Sequence, residues 1–152
     1  TFADKGFGED ERRYWEEDAA WQGFRELMER TLTVWDWGEA IVVLSLVVKP
    51  AVEEAVLRRL GESARHNGDT LLGLVTDAQL IDAARHRRWT AAFVAMALQT
   101  PGNLALIQSW VAKWEPLADR AIDAYCAALP DVPNAADAAK AATRDLRRGL
   151  GL

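Results

Sequence analysis

Cysteine and histidine are scarce in this sequence. Its 152 residues include one cysteine, Cys126, and two histidines, His66 and His86. A single cysteine excludes an internal disulfide framework and fits a reducing cytoplasm, which is the compartment we expect.

Long apolar runs and an excess of positive charge are also missing. The longest apolar stretch, Ile41 to Val48, is far too short to span a bilayer, and no signal peptide is visible. The formal net charge of −5 gives no reason to expect nucleic acid or a membrane as a partner. Glycine and proline are sparse, so disorder is expected only near the ends.

Hydrophobic residues, in contrast, make up half of the sequence, which is enough for a buried core. Seven tryptophans are many for this length. They fit two interpretations, an internal core or a surface for a second subunit, because aromatic anchors are enriched in the cores of protein interfaces. The sequence leaves both interpretations open.

The first part of the chain predicts an arm followed by two helices. Residues 1–8 hold two glycines and no helical period, so we expect an extended N-terminal arm. A short acidic helix is predicted from Glu9 to Glu17, and Asp18 is a good N-cap for the next helix. The apolar face of that second helix is predicted to carry Trp21, Phe24, Met28 and Leu32, with Leu27 beside it.

Two long helices are predicted next, Asp36–His66 and Thr70–Leu98, and we expect them to form an antiparallel pair. The β-branched run 41–48 resembles a strand, but a lone strand would have nothing to pair with, so a helix buried on every side is predicted. Pro50 is expected to kink or restart this helix, and Asp69 to cap the next one. The apolar side of the helix Thr70–Leu98 is predicted to carry Leu71, Leu74, Val75, Ala78 and Ile81.

The rest of the chain predicts two further helices. Residues 100–103 are a clear break, after which a helix carrying Trp110 and Trp114 is kinked by Pro116 and continues to Leu129. Asn134 is predicted to cap a final alanine-rich helix, and residues 149–152 are expected to fray. The fold class is therefore all-α, with a helical region over residues 9–129 and a C-terminal helix and tail over residues 130–152.

Few residues converge in a way that would carry chemistry. A Glu-x-x-His pair places two metal ligands on one face of a helix, but the position three before His86 is Ala83. One histidine with Glu39 and Asp82 does not make a di-iron site. No Gly-x-Ser-x-Gly motif and no glycine-rich phosphate loop is visible. His66, at a predicted helix end, is expected to be structural.

Several longer blocks are more specific than any of these motifs. They are residues 14–18, 21–23, 36–40, 46–50, 67–69, 85–92 and 110–119. In this order they resemble the second half of the hydroxylase β subunit of bacterial multicomponent monooxygenases. These enzymes oxidise methane, propane, phenol, toluene and tetrahydrofuran, and the similarity extends from about Gly6 to Leu129.

The resemblance implies a ferritin-like helical bundle and a non-haem di-iron centre in the partner α subunit only, with no cofactor in this chain. Glu39 matches a glutamate ligand of the α-type pattern, and His86 matches its histidine. The essential glutamate is replaced by Ala83, so these three positions are predicted to be the remnant of a lost metal site. The implied partners are the α subunit, a second αβ protomer, and regulatory and reductase components.

The resemblance also implies a longer chain, because the first two core helices of the family's bundle are not found here. We therefore expect a portion of a longer chain or a split subunit, with apolar faces of the two long helices exposed.

The leading interpretation is a non-catalytic, structural β subunit of a hydroxylase that uses O2 and NAD(P)H on small hydrocarbons or aromatics. The alternatives are an enzyme that itself binds iron through Glu39, Asp82 and His86, and a stand-alone helical interaction module. Candidate interface residues are Trp110, Trp114, Leu117, Trp35, Trp37, Arg85, Arg87, Arg88 and Trp89.

Overall fold

The computed structural model describes residues 10–152, so the predicted arm and Glu9 lie outside the described residues. This part of the chain is helical and contains no strand. Its helices are α1 (Glu11–Glu17), α2 (Ala19–Thr31), α3 (37–66), α4 (Thr70–Ala97), α5 (Asn103–Cys126) and α6 (Ala135–Gly149). No helix between residues 10 and 152 has the length and apolarity needed to cross a membrane.

Three predicted N-caps are confirmed by hydrogen bonds from backbone amides. The side chain of Asp18 accepts from the Ala20 amide at 2.8 Å, and that of Asp36 accepts from the Glu39 amide at 3.0 Å. Asp69 accepts from the Leu72 amide at 2.9 Å. Each bond satisfies a donor that the first turn of a helix leaves free.

The fourth predicted cap, Asn134, occupies the N-cap position of α6 as predicted, but its side chain does not act as a cap. Its φ of 55° lies in the left-handed region, and its side chain makes no capping hydrogen bond. Asparagine tolerates this conformation better than most residues, so Asn134 turns the chain into α6 through its backbone.

Helix α3 runs without interruption through the β-branched segment, which confirms the helix prediction there. Two π-helical segments, Val43–Val48 and Val52–Arg58, lie on either side of the α-helical turn Lys49–Ala51. Pro50 is inside this turn and is buried. Proline lacks the N–H that would bond to the carbonyl four residues earlier, so the α-helical pattern cannot continue unchanged there.

Two apolar clusters hold the helices together. The larger joins α2, α3, α5 and α6 and includes Leu27, Val47 and Ile122, while the smaller consists of Val42, Leu46, Val94 and Ile107. The expectation that residues 149–152 fray is wrong, because Leu150 and Leu152 pack against the smaller cluster. The Leu152 amide also donates to the Arg147 carbonyl at 3.1 Å.

The apolar side predicted for α4 points outward, as we expected for this helix. Leu71 and Ile81 are 73% and 67% exposed, and Leu74 and Val75 are exposed as well. The residues of α4 that are buried lie on the opposite side and are Gly73, Thr76, Ala83, Thr90 and Val94. Leu32, predicted to belong to the apolar face of α2, is also exposed.

Candidate functional site

A cluster of charged side chains lies between α3 and α4, at the centre of the long helix pair. Glu53 and Glu54 are almost fully buried. The Arg87 guanidinium donates from Nε to Glu53 Oε2 at 2.7 Å and from Nη2 to Glu54 Oε1 at 2.8 Å. Lys49 Nζ lies 2.9 Å from Glu53 Oε1, and Arg58 Nε donates to Glu54 Oε2 at 2.8 Å.

These contacts shift the pKa values of Glu54 and Arg87. Burial by itself raises the pKa of Glu54, but hydrogen bonds from Arg87 and Arg58 and their positive charges outweigh it, so the pKa is lowered. Burial lowers the pKa of Arg87, and its hydrogen bonds to Glu54 and Glu53 more than compensate, so that pKa is raised. Glu53 and Glu54 thus face cationic side chains of the same protein.

Within residues 10–152, no group of three or more histidine, cysteine, aspartate or glutamate side chains is placed to hold a metal ion. Cys126 is buried, and burial raises the pKa of its thiol. A protonated buried thiol is a packing group rather than a nucleophile.

The three predicted remnants of a metal site occupy different environments. Glu39 lies beside α5, where its Oε1 accepts from Lys113 Nζ at 2.7 Å and from Trp114 Nε1 at 2.6 Å. Burial raises the pKa of Glu39, but these two hydrogen bonds lower it further than burial raises it. Ala83 is buried on α4.

His86 lies on the same helix as Ala83, with its ring centroid 5.6 Å from that of Trp89 and its Nδ1 3.4 Å from Thr90 Oγ1. Among the described residues, no hydrogen bond or ion pair joins His86 to Glu39. The carboxylates that face α4 are instead those of Glu53 and Glu54.

The two candidate tryptophans of α5 differ in burial. Trp114 is 4% exposed and belongs to the larger apolar cluster, where Leu117 packs against it. Trp110 is partly buried and sits against α3, since a Cβ built on Gly38 would lie 3.3 Å from its ring. Both rings therefore contribute to packing inside this chain.

Of the aromatic side chains in residues 10–152, the two most exposed lie where the turn after α2 meets the start of α3. Trp35 is 99% exposed and Trp37 is 73% exposed, on either side of the N-cap residue Asp36. Leu32, at the end of α2, is exposed next to them. We refer to Leu32, Trp35 and Trp37 as the aromatic tip.

The side chains of the basic segment of α4, residues 85–88, point in different directions. Arg87 points to the buried carboxylates, whereas Arg85 and Arg88 are exposed. Arg85 Nη1 lies 3.3 Å from Asp82 Oδ1. Trp89 is half-exposed and stacks on Phe93 with ring centroids 5.6 Å apart and an interplanar angle of 13°.

Sequence reasoning missed Glu53, Glu54 and Arg147. Glu53 and Glu54 could have been predicted as a charged cluster, because they are adjacent on a helix expected to be buried. Buried carboxylates need cationic or hydrogen-bonding partners. Arg147 gave no comparable signal, since its contacts with Glu115 and with the Leu46 carbonyl join distant parts of the chain.

Comparisons with known proteins agree with this architecture. The hydroxylase β subunit of the toluene-4-monooxygenase system of Ectopseudomonas mendocina is 54% identical over 129 residues, covering 85% of this chain and 39% of that protein. The oxygenase component DmpL of phenol 2-monooxygenase from Pseudomonas sp. (strain CF600) is 27% identical over 112 residues, covering 73% of this chain and 34% of the relative. The chain thus spans less than half the length of these relatives.

A solved structure of toluene 4-monooxygenase, with toluene bound in the resting active site, superposes with a TM-score of 0.81 at 53% identity. The match covers 84% of this chain and 42% of that chain. The fold is thus that of a ferritin-like, all-helical hydroxylase subunit. Residues 1–101 match the model of the methane/phenol/alkene hydroxylase family, and the chain belongs to that family.

Proposed function

We propose that this chain is a non-catalytic, structural part of the β subunit of a soluble di-iron monooxygenase hydroxylase, and that it supports an iron-bearing α subunit. The observation that carries the proposal is its 54% identity to a hydroxylase β subunit. The complex would hydroxylate small hydrocarbons or aromatics with O2 and NAD(P)H. Its remaining partners would be a second αβ protomer and regulatory and reductase components, in the cytoplasm.

The charged cluster supports a structural role. Iron in a carboxylate-rich helical bundle needs oxygen and imidazole ligands with free lone pairs. Here Glu53 and Glu54 are engaged by Arg87, Lys49 and Arg58. The same carboxylates therefore serve as an internal link between α3 and α4, and no iron-binding residue is assigned to this chain.

The second candidate function is an iron-binding enzyme in its own right, which would use Glu39, Asp82 and His86. The observation against it is that Glu39 is occupied by Lys113 and Trp114, and Asp82 by Arg85. The other alternative, a helical module unrelated to oxygenases, does not agree with the family match.

For contact with the α subunit, the aromatic tip is the strongest of the candidate surfaces. Trp35 makes almost no contact with its own chain, whereas Trp114 is internal core. Large aromatic side chains that fill a partner's pocket are typical anchors of protein interfaces. We place the α-subunit anchor at Trp35 and Trp37, with Trp110 and Arg88 as further candidates.

The test is association with the α subunit of the similar toluene-4-monooxygenase system, measured by co-purification and by titration. We expect Trp35→Ala and Trp37→Ala to weaken binding by roughly thirtyfold each, the loss typical of an interface anchor. Leu71→Ala is the matched control, because it truncates an exposed apolar side chain on another face. Failure of the unaltered chain to bind any α subunit would contradict the proposed function, and unchanged binding by both tryptophan variants would contradict the anchor.

A further inference from the structure

A cavity of about 540 Å³ lies between the first half of α5 and the second half of α6. Its volume is in the range of small-molecule sites, about 300–1,000 Å³. The apolar residues of its lining are Val111 and Ala112 of α5, Ala141 of α6 and Leu152 at the end of the chain. Walls of this kind favour a ligand with an apolar body.

The charged residues of the lining are mostly basic. Arg144, Arg147 and Arg148 line the cavity together with one carboxylate, Glu115, so that three positive charges and one negative charge give a formal +2. The chain as a whole carries a formal charge of −5, so the cavity has the opposite sign to the rest of the molecule. Asp119, which also contacts Arg144, lies one helical turn beyond Glu115 and is not part of the lining. A cleft lined by charges of one sign attracts ligands of the other sign.

Two of the arginines share a single carboxylate oxygen. Arg147 Nη2 donates to Glu115 Oε1, and Arg144 Nε donates to the same atom at 3.1 Å. Only 7% of the Arg147 side chain is exposed, and its Nη1 donates to the Leu46 carbonyl at 3.2 Å. Burial lowers the pKa of Arg147 by more than the charge of Glu115 raises it. A buried cation at the cavity wall is therefore only partly compensated within this chain.

The other two arginines have donors left for a ligand. A guanidinium carries five N–H donors. Arg144 uses Nε and Nη2 for Glu115 and Asp119, and Arg148 uses Nη2 for Asp145. Within residues 10–152, no hydrogen bond is made by Nη1 of Arg144 or of Arg148. A carboxylate in the cavity can thus be bound without breaking an existing contact.

We propose that this cavity binds a small organic carboxylate with an apolar body, such as an aromatic acid. The carboxylate would lie against Arg144 and Arg148, above the buried Arg147, because the planar guanidinium fork matches the two oxygens of a carboxylate. The apolar body would lie along Val111, Ala112 and Ala141. The proposal does not rest on the proposed function, since the cavity and the aromatic tip are separate surfaces with separate variants.

The first test is the binding of benzoate to the 152-residue chain, measured by equilibrium dialysis. Benzoate carries a carboxylate on a flat apolar ring, and benzamide is its neutral analogue of the same shape. We expect one saturable benzoate site per chain, with a dissociation constant of about 1 mM or below, and roughly tenfold weaker binding of benzamide. No saturable binding of benzoate, or equal binding of benzamide, would overturn the proposal.

Competition with small anions tests the role of the apolar walls. Acetate and inorganic phosphate present oxygens to the arginines but have little or no apolar body. We expect each to displace benzoate roughly tenfold less effectively than unlabelled benzoate does. Displacement by phosphate at the same concentration as benzoate would show a general anion site and would contradict the carboxylate class.

Charge variants locate the site. Arg144→Gln and Arg148→Gln should each weaken benzoate binding roughly tenfold, because each removes a charged donor. Arg30→Gln is the matched control, since it removes an exposed arginine of α2 that does not line the cavity. Unchanged affinity in both cavity variants would place benzoate elsewhere and refute the site.

A steric pair of variants leaves all three arginines in place. Ala141→Phe should abolish benzoate binding by filling the cavity, whereas Ala138→Phe, exposed on α6 outside the lining, should bind as the parent does. Circular dichroism checks that both variants keep their helices. Full benzoate affinity in Ala141→Phe would overturn the proposal, even if the arginine variants were too unstable to measure.

Discussion

A single proline and a distant arginine explain how α3 and α6 fit together. Pro50 has no N–H, so the Leu46 carbonyl, four residues earlier, loses the donor that an α-helix would supply. Arg147 Nη1 of α6 donates to this carbonyl at 3.2 Å, and its Nη2 donates to Glu115 of α5. One buried guanidinium thus joins three helices at the point where α3 departs from regular geometry.

We expect Arg147→Met to lower the free energy of unfolding by about 1–3 kcal/mol, because it leaves the Leu46 carbonyl without this donor and Glu115 without one of its two arginines. Urea denaturation monitored by circular dichroism measures the change. Arg148→Met is the matched control, since Arg148 is exposed and pairs with Asp145 of its own helix. Equal stability of the two variants would argue against the role given to Arg147.

The pKa of Glu54 leads to a prediction about acid stability. Its folded pKa lies below the ordinary value of 4.5, because Arg87 and Arg58 hydrogen-bond to the carboxylate. The stabilisation is therefore fully present above the unfolded pKa and is lost as the pH falls through the lower folded pKa.

We thus expect a flat free energy of unfolding from about pH 7 to 5 and a decline below about pH 4. Urea titrations at a series of pH values give the curve. Glu54→Gln should be less stable at neutral pH and should show a weaker acid decline, whereas Glu29→Gln, on the exposed side of α2, should follow the parent protein. An unchanged acid decline in Glu54→Gln would show that other groups cause it.

At the level of elements, local signals predicted the helices well. Asp18, Asp36 and Asp69 each begin a helix, and the bonds they accept involve residues two or three positions away. The π-helical segments could not be predicted, because they depend on how α3 packs around Pro50. The same holds for Arg87, whose carboxylate partner Glu53 is 34 residues away.

The exposed apolar side of α4 was expected from the resemblance, which implies that two core helices of the bundle are not found here. Periodicity alone could not predict it, because periodicity identifies a face without saying which face is covered. The buried side of α4 includes Gly73, Thr76 and Thr90, and the exposed side includes Leu71 and Ile81. The signal for the buried side was the small size of Gly73 and Ala83, since small side chains let a neighbouring helix approach.

The crossing of α2 and α5 depends on the absence of a side chain at Gly23. A Cβ built at this position would lie 2.6 Å from the Ala121 Cα and 3.2 Å from the Arg120 carbonyl oxygen. Both are backbone atoms, so a methyl group cannot be accommodated by a rotamer change. The two helices would have to separate, although Phe24 and Leu27 are fully packed beside the crossing.

Gly23→Ala should therefore lower the free energy of unfolding by roughly 1–3 kcal/mol, although alanine is the better helix former. Thermal and urea denaturation measure the effect. In Gly149→Ala, where no atom lies within 4 Å of the new Cβ, we expect no loss of stability. A Gly23→Ala variant with an unchanged or larger free energy of unfolding would contradict the close contact between α2 and α5.

Across the whole molecule, polar and apolar groups are distributed in an unusual way. The interior of the α3–α4 pair holds Glu53, Glu54 and Arg87, while the outside of α4 holds several exposed apolar side chains, among them Leu71 and Ile81. A chain with this distribution is expected to be stable only with its outer surfaces covered, so we do not expect a well-behaved monomer. This agrees with a subunit that works in an assembly.

The interior charges also underlie our expectation for iron binding. A tight site needs several carboxylate and imidazole ligands that converge with free lone pairs. Glu53 and Glu54 are engaged by Arg87, Glu39 by Lys113 and Trp114, and the residue three before His86 is Ala83, which has no donor atom. Displacing Arg87 would leave the buried carboxylates of Glu53 and Glu54 without this cation, which is unfavourable.

We therefore expect the purified chain to retain no stoichiometric iron after anaerobic loading with ferrous ion and desalting, as measured by metal analysis. The decisive comparison is with His86→Ala and with His66→Ala, a matched histidine at the exposed end of α3. If the parent protein held two irons per chain and lost them in His86→Ala but kept them in His66→Ala, this chain would carry its own centre. Equally low iron content in all three proteins would support the proposal that the α subunit, and not this chain, binds the iron.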